Sequence, residues 1–111
     1  MADESKGYNG WTNYETWLTA LWIDNDEWTY NEARGIVREC VEMATDDVST
    51  SHVADQLKTW AEEQFIDPVT ENEVRGVVGL AVDLLRAAWS DVDFYEIAEN
   101  WISEILQEAD A

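Results

Sequence analysis

The chain has 111 residues and carries 25 Asp+Glu against 6 Lys+Arg, a formal net charge of −19. The length suits one domain with a single core, and 46% hydrophobic residues with seven Trp exclude the low-hydrophobicity, high-charge signature of disorder. No apolar run nears the roughly 20 residues of a membrane span, and one Cys with one His leaves no intramolecular disulfide and no Cys/His zinc site.

Residues 1–10 read as a loose tail before a single acidic helical domain, 11–111. Asn13 is placed to cap a first helix in which Tyr14, Trp17, Leu18, Leu21 and Trp22 recur at i, i+3, i+4, i+7 and i+8, one apolar stripe. Asp24-Asn25-Asp26 supplies a turn and a new cap. A second helix then runs to about Ala44, with Ala33, Ile36, Val37, Cys40, Val41 and Ala44 on one face. The stretch Asp46–Ser51 breaks it and offers caps for a third helix, which turns Val53, Leu57, Trp60, Ala61 and Phe65 inward and stops before Pro68.

Thr70-Glu71-Asn72-Glu73 reads as a capping box opening a fourth helix. From Val74 to Trp89 that helix has little polar surface, so it reads as the central, nearly buried element. Gly76 and Gly79 each cost about 1 kcal/mol there relative to Ala, which a closely approaching helix or Trp ring would offset. Asp93-Phe94-Tyr95-Glu96 repeats the cap-to-acid spacing and opens a fifth helix, with Phe94, Ile97, Ala98, Trp101, Ile102 and Ile105 inside. No segment alternates with period two. The expected fold is all-α, a single-domain bundle of about five helices.

The residues offer no catalytic constellation. Asp83 alone sits where an apolar environment could raise a carboxyl pKa, and Arg86 at i+3 is placed to neutralise it. Asp24-Asn25-Asp26-Glu27-Trp28 begins like a calcium loop, but Trp28 occupies a ligand position, Thr29 replaces the required Gly, and Gly35 stands where the bidentate Glu belongs. His52, beside Ser49, Thr50 and Ser51, has no triad partners. Cys40 lies on an inward stripe and acts as a small hydrophobe. The expectation is a non-enzyme with no cofactor and no metal. Trp17, Trp22, Trp60, Trp89 and Trp101 fall on predicted inward faces, whereas Trp11 and Trp28 lie at helix starts and are candidate binding anchors.

The stretch Asn13-Tyr14-Glu15-Thr16-Trp17, followed by Leu21-Trp22-Ile23-Asp24-Asn25-Asp26, resembles the opening motif of a family of small proteins carried by phages, plasmids and archaeal mobile elements. Val92-Asp93-Phe94-Tyr95-Glu96-Ile97-Ala98 is similar to that family's second recurrent segment, with Phe94 in place of its Trp. Taken over Gly10–Asp26 and Val92–Glu99, the resemblance covers about a quarter of the chain and implies a mobile-element origin rather than a reaction. In size and acidity, though not in motif, the chain also resembles phage anti-restriction proteins that imitate DNA.

After Arg86 there is no basic residue, while Asp91, Asp93, Glu96, Glu99, Glu104, Glu108 and Asp110 follow. Duplex DNA carries about one charge per 1.7 Å of axis, so the ~22 Å of a 15-residue helix matches ~13 phosphates. The fifth helix supplies about half, and neighbours such as Glu62 and Glu63 could extend the face. The function expected from this pattern is a nucleic-acid-mimicking inhibitor that fills the basic channel of a host restriction enzyme, CRISPR effector, nuclease or repair enzyme. Its binding residues would be Asp91, Asp93, Glu96, Glu99, Glu104, Glu108, Glu62 and Glu63, with Trp11 and Trp28 as anchors. Direct binding to nucleic acid or anionic membrane is disfavoured by charge. The lone Cys40 suits a reducing cytoplasm, that of the host if a phage encodes the chain. Two other readings stand beside mimicry: acidity that reports a high-salt habitat, and an adaptor or assembly protein anchored by Trp. Self-association into a homodimer is open to all three.

Overall fold

The computed structural model describes residues 7–71 and 77–110. Five helices of 12 to 17 residues dominate: α1 (Tyr14–Asn25), α2 (Glu27–Met43), α3 (Thr50–Ala61), α5 (Val77–Ser90) and α6 (Phe94–Asp110). A short α4 (Asp67–Glu71) continues α3 through a π-helical stretch, Glu62–Ile66. Among the described residues the only β pairing is a single bridge between Tyr8 and Trp11. The fold is the all-α bundle that the periodicity predicts.

The helix starts follow from side chains that satisfy otherwise orphaned N–H groups. Asn13 Oδ1 accepts from Thr16 N, Asp26 Oδ1 from Trp28 N and Thr29 N, Ser49 Oγ from His52 N, and Asp93 Oδ1 from Glu96 N. All four caps stand where the sequence places them. The core forms where α6 lies against α2 and α3. Phe94, Ile97, Ala98, Trp101, Ile102 and Ile105 are all buried, packed with Ala33 and Val37 of α2 and with Val53, Leu57, Trp60 and Ala61 of α3. Each large apolar side chain so enclosed contributes roughly 1.5–3 kcal/mol of transfer free energy.

Elsewhere the structure departs from expectation. The fourth long helix, α5, is not nearly buried: among its described side chains only Val82 is enclosed, while Leu80 is 61% and Leu84 62% exposed. Asp83 and Arg86 mark one side as outward, but the rest of the helix is apolar, so the sequence does not decide which apolar side also turns out. A Cβ at Gly79 would meet nothing within 4 Å, so no neighbour approaches closely there. Gly76, Val74 and the Asn72-Glu73 half of the predicted capping box lie outside the described residues, and Thr70 sits within α4.

Helix α1 is also turned relative to the prediction. It buries Thr16, Ala20 and Ile23, while Tyr14 and Trp22 of the apolar stripe are exposed. That side meets α2, where Thr29 Oγ1 donates to Ile23 O, and the start of α6, where Asp93 N donates to Thr16 Oγ1. The third helix does not stop before Pro68. Asp67 N donates to Glu62 O across the widened π turn, and Pro68 follows in the next turn. The wider turn relieves the clash a proline ring makes with the carbonyl four residues earlier. Within the predicted tail, residues 8–11 form a tight turn. Tyr8 N donates to Trp11 O and Trp11 N to Tyr8 O, at 2.8 and 2.7 Å, with Asn9 and Gly10 both at positive φ. Asn-Gly is the preferred pair for such a turn. It lays the Tyr8 ring on Tyr14 and Trp17, with centroids 5.1 and 4.8 Å apart.

Candidate acidic interface and the apolar face beside it

The acids of α6 do not form one uncompensated face. Glu96 is 4% exposed, and its Oε1 accepts from Thr12 N at 3.0 Å, so it belongs to the interior. Glu104 and Glu108 remain exposed but are matched by cations from α2: Arg34 Nε reaches Glu104 Oε1 at 3.0 Å, and Arg38 reaches Glu108 Oε1 at 3.2 Å. Both helices present their partners at a spacing of four, so parallel packing aligns two pairs in register. The run after Arg86 is free of basic residues in sequence but not in space.

Arg34 is the residue sequence reading missed. It is 2% exposed, bonded also to Asp24 Oδ1 at 3.0 Å, and its guanidinium lies 3.9 Å from the Trp101 ring centroid and 4.5 Å from that of Tyr30. Two carboxylates and two aromatic faces compensate its desolvation. The signal was its position: Ala33, Arg34 and Val37 share the inward stripe of α2, where a charge must find partners.

The two motifs that carry the family resemblance meet each other. Beyond the bond from Thr12 to Glu96, Asp93 N donates to Thr16 Oγ1 at 2.8 Å, and Asn13 Nδ2 donates to Asp91 O at 2.8 Å. The N-termini of α1 and α6 thus lie side by side, each capped by its own Asn13 or Asp93 and cross-linked to the other. Structural interlock accounts for Asn13, Thr16, Asp93 and Glu96, and it removes Glu96 from the predicted binding set.

The remaining candidates divide. Asp91, Asp93, Glu63 and Glu99 are exposed, and Asp91 and Asp93 flank a depression shared with Asp55 and Lys58 of α3. Glu62 is half-buried, its Oε2 accepting from Trp89 Nε1 at 3.1 Å. Trp11 packs partly against the core, whereas Trp28 is more than half exposed. Asp83 and Arg86 are both exposed, and among the described residues no ion pair joins them, contrary to the neutralisation expected at i+3. His52 is exposed at the first turn of α3, with its backbone N–H in the Ser49 cap. Burial, and after it the Glu39 carboxylate, push the Cys40 thiol up from its ordinary value. Among the described residues no group of three or more His, Cys, Asp or Glu is placed to hold a metal ion, and no helix is long and apolar enough to cross a membrane.

The outward stripes of α1 and α5 face each other across a groove of about 270 Å³. Leu18, Trp22, Phe65, Ile66, Leu85 and Trp89 line it, and among the described residues Glu15 is the one carboxylate in its wall. Trp22 is 65% exposed. No sequence argument pointed here, because both stripes were read as core.

Residues 4–111 match a family of unknown function, DUF7249, and the chain belongs to that family. No curated protein and no solved structure matches it.

Proposed function

We propose that this DUF7249 protein is a non-enzymatic inhibitor that imitates nucleic acid and occupies the basic channel of a host DNA- or RNA-processing protein in the cytoplasm. The observation that carries this reading is the surplus of surface carboxylate. Arg34 and Arg38 are already matched to Asp24, Glu104 and Glu108, and the formal charge is still −19. The geometry favours a face smaller than sequence spacing suggested, built on Asp55, Asp91 and Asp93 around the single cation Lys58, with Glu99 in the next depression along α6. Fixed carboxylates there would attract a basic surface, and the ions held by both partners would be released on contact. A mobile-element origin is consistent with a target in host defence. The exposed indole of Trp28 favours the runner-up, an adaptor anchored by aromatic contact.

The test is competition: the protein should displace DNA or RNA from a basic channel protein while showing no affinity for nucleic acid itself. Asp55→Lys, Asp91→Lys and Glu99→Lys together should slow association about tenfold or more and flatten the salt dependence, with the helical spectrum unchanged. If the triple variant competes as well as the parent with the same salt slope, mimicry on this face is wrong. Were the acidity only a high-salt adaptation, the triple variant would alter solubility and salt requirement and abolish no interaction.

A further inference from the structure

One surface that the acidic face leaves unexplained is apolar. Leu80 and Leu84 stand one turn apart on the outer side of α5, with Ala81, Ala87 and Ala88 exposed around them. The same surface runs past Leu85 into the groove and on to the exposed ring of Trp22. Single exposed leucines are ordinary, but a continuous apolar tract across two helices marks a contact surface.

We propose that this tract is where two copies of the chain meet. Residues 77–90 contain one Asp and one Arg, Asp83 and Arg86, so this helix is neutral within a chain of charge −19. The α3–α6 depression gathers Asp55, Asp91 and Asp93 around the single cation Lys58, whereas among the described residues the groove wall holds one carboxylate, Glu15. Two bodies of like charge meet at least cost where few carboxylates lie nearby, because at 0.1 M salt repulsion between charges is screened beyond about 10 Å and the nearby charges decide. A helix with few charges of its own is the site at which they can touch. A two-fold arrangement uses the same patch on both copies and closes, leaving no apolar surface for a third.

Area fixes the strength. By helix geometry α5 is about 21 Å long and roughly 10 Å across, a footprint near 200 Å². The groove and Trp22 about double it, so two copies together cover ~800 Å², below the ~1,200–2,000 Å² of stable complexes. The dimer is therefore weak and concentration-dependent. It also strengthens with salt, the reverse of what an acidic face meeting a basic partner does. That reversal separates this contact from the acidic interface proposed above, and neither depends on the other.

Sedimentation equilibrium of the full chain between 10 µM and 1 mM, at 50 and 500 mM NaCl, tests it. The mass should pass from 12.7 kDa towards twice that value, with the dissociation constant falling several-fold at the higher salt. Leu80→Glu with Leu84→Glu changes only exposed side chains, so the helical spectrum should survive and the variant should remain monomeric throughout. Trp22→Ala, on the other helix of the tract, should weaken the dimer about tenfold. A parent that stays monomeric at 1 mM and 500 mM NaCl overturns the proposal. So does a dimer that the double Glu variant leaves intact. If the parent is monomeric and a lysine-rich amphipathic peptide binds the tract in a Leu84-dependent, salt-weakened way, the occupant is a basic partner and the dimer is wrong.

Discussion

Helices α5 and α6 are both rich in apolar residues, yet α6 buries six of them and α5, among its described side chains, buries Val82 alone. The difference lies in what occupies the other side of each helix. On α6, exposed Glu99, Glu104 and Glu108 oppose the apolar face, so turning the helix over would bury charge at a cost of several kcal/mol per group. On α5, Ala, Leu and Val continue most of the way round, and nothing penalises turning a leucine face to the outside except hydration of that face. Charge orients a helix as strongly as hydrophobicity recruits it.

Substitutions can sharpen or break this contrast. Trp101→Ala on α6 should remove about 4 kcal/mol of unfolding free energy, since a fully enclosed indole is lost and the guanidinium above it is uncovered. Denaturant titration measures it. Arg34→Ala should cost about 3 kcal/mol, near the low end for breaking a buried pair because Asp24 and Glu104 are partly hydrated already. Arg34→Lys should recover less than half, having neither the planar fork nor the stacking. Glu96→Gln should cost about 1–2 kcal/mol by weakening the bond from Thr12 N. Leu84→Ser on α5 should stay within about 0.5 kcal/mol of the parent. If Leu84→Ser proves as costly as Trp101→Ala, the two helices do not differ and α5 is a core element after all.

Two smaller effects follow from charge and burial. With so many like charges, the melting temperature should rise as NaCl increases to a few hundred millimolar, and indifference to salt would mean that the acids are well dispersed. The Cys40 thiol, pushed up by burial and Glu39, holds its proton more tightly when folded than when unfolded. Its contribution is therefore complete below the unfolded thiol's range and declines as alkaline pH rises through the folded one. Alkylation at pH 8 should run slower than in the denatured chain.

What the sequence made legible is where side chains act locally. Asn13, Asp26, Ser49 and Asp93 cap where they should, because a cap needs only its own next turn. The inward face of α6 was equally plain, since Glu99, Glu104 and Glu108 mark its outside. The outward turn of α1 was not, because Tyr14, Leu18 and Trp22 can pack on core or on a surface groove with the same spacing. Nor was the burial of Glu96 visible, since its partner Thr12 lies 84 residues away. Arg38 with Glu108 and Arg34 with Glu104 were missed for the same reason, and with those pairs and Glu96 went half of the six acids expected to bind, from Asp91 to Glu108. The Tyr8–Trp11 turn is different: Asn9-Gly10 announced it, but the residues around it looked like tail.

The interlock between the starts of α1 and α6 also sets a schedule for making the protein. Thr16 and Asp93, joined in the folded chain, are 77 residues apart, and at roughly 5–20 residues per second a ribosome needs about 4 to 15 s to add that length. Throughout that interval α1 is already synthesised and its closing partner does not yet exist. Loop entropy opposes joining such distant segments before the intervening helices have packed, so the bond from Asp93 N to Thr16 Oγ1 is among the last to form. A nascent chain arrested before residue 93 carries α1 with its leading turn unlatched, and synthesis of α6 is what lets that latch close.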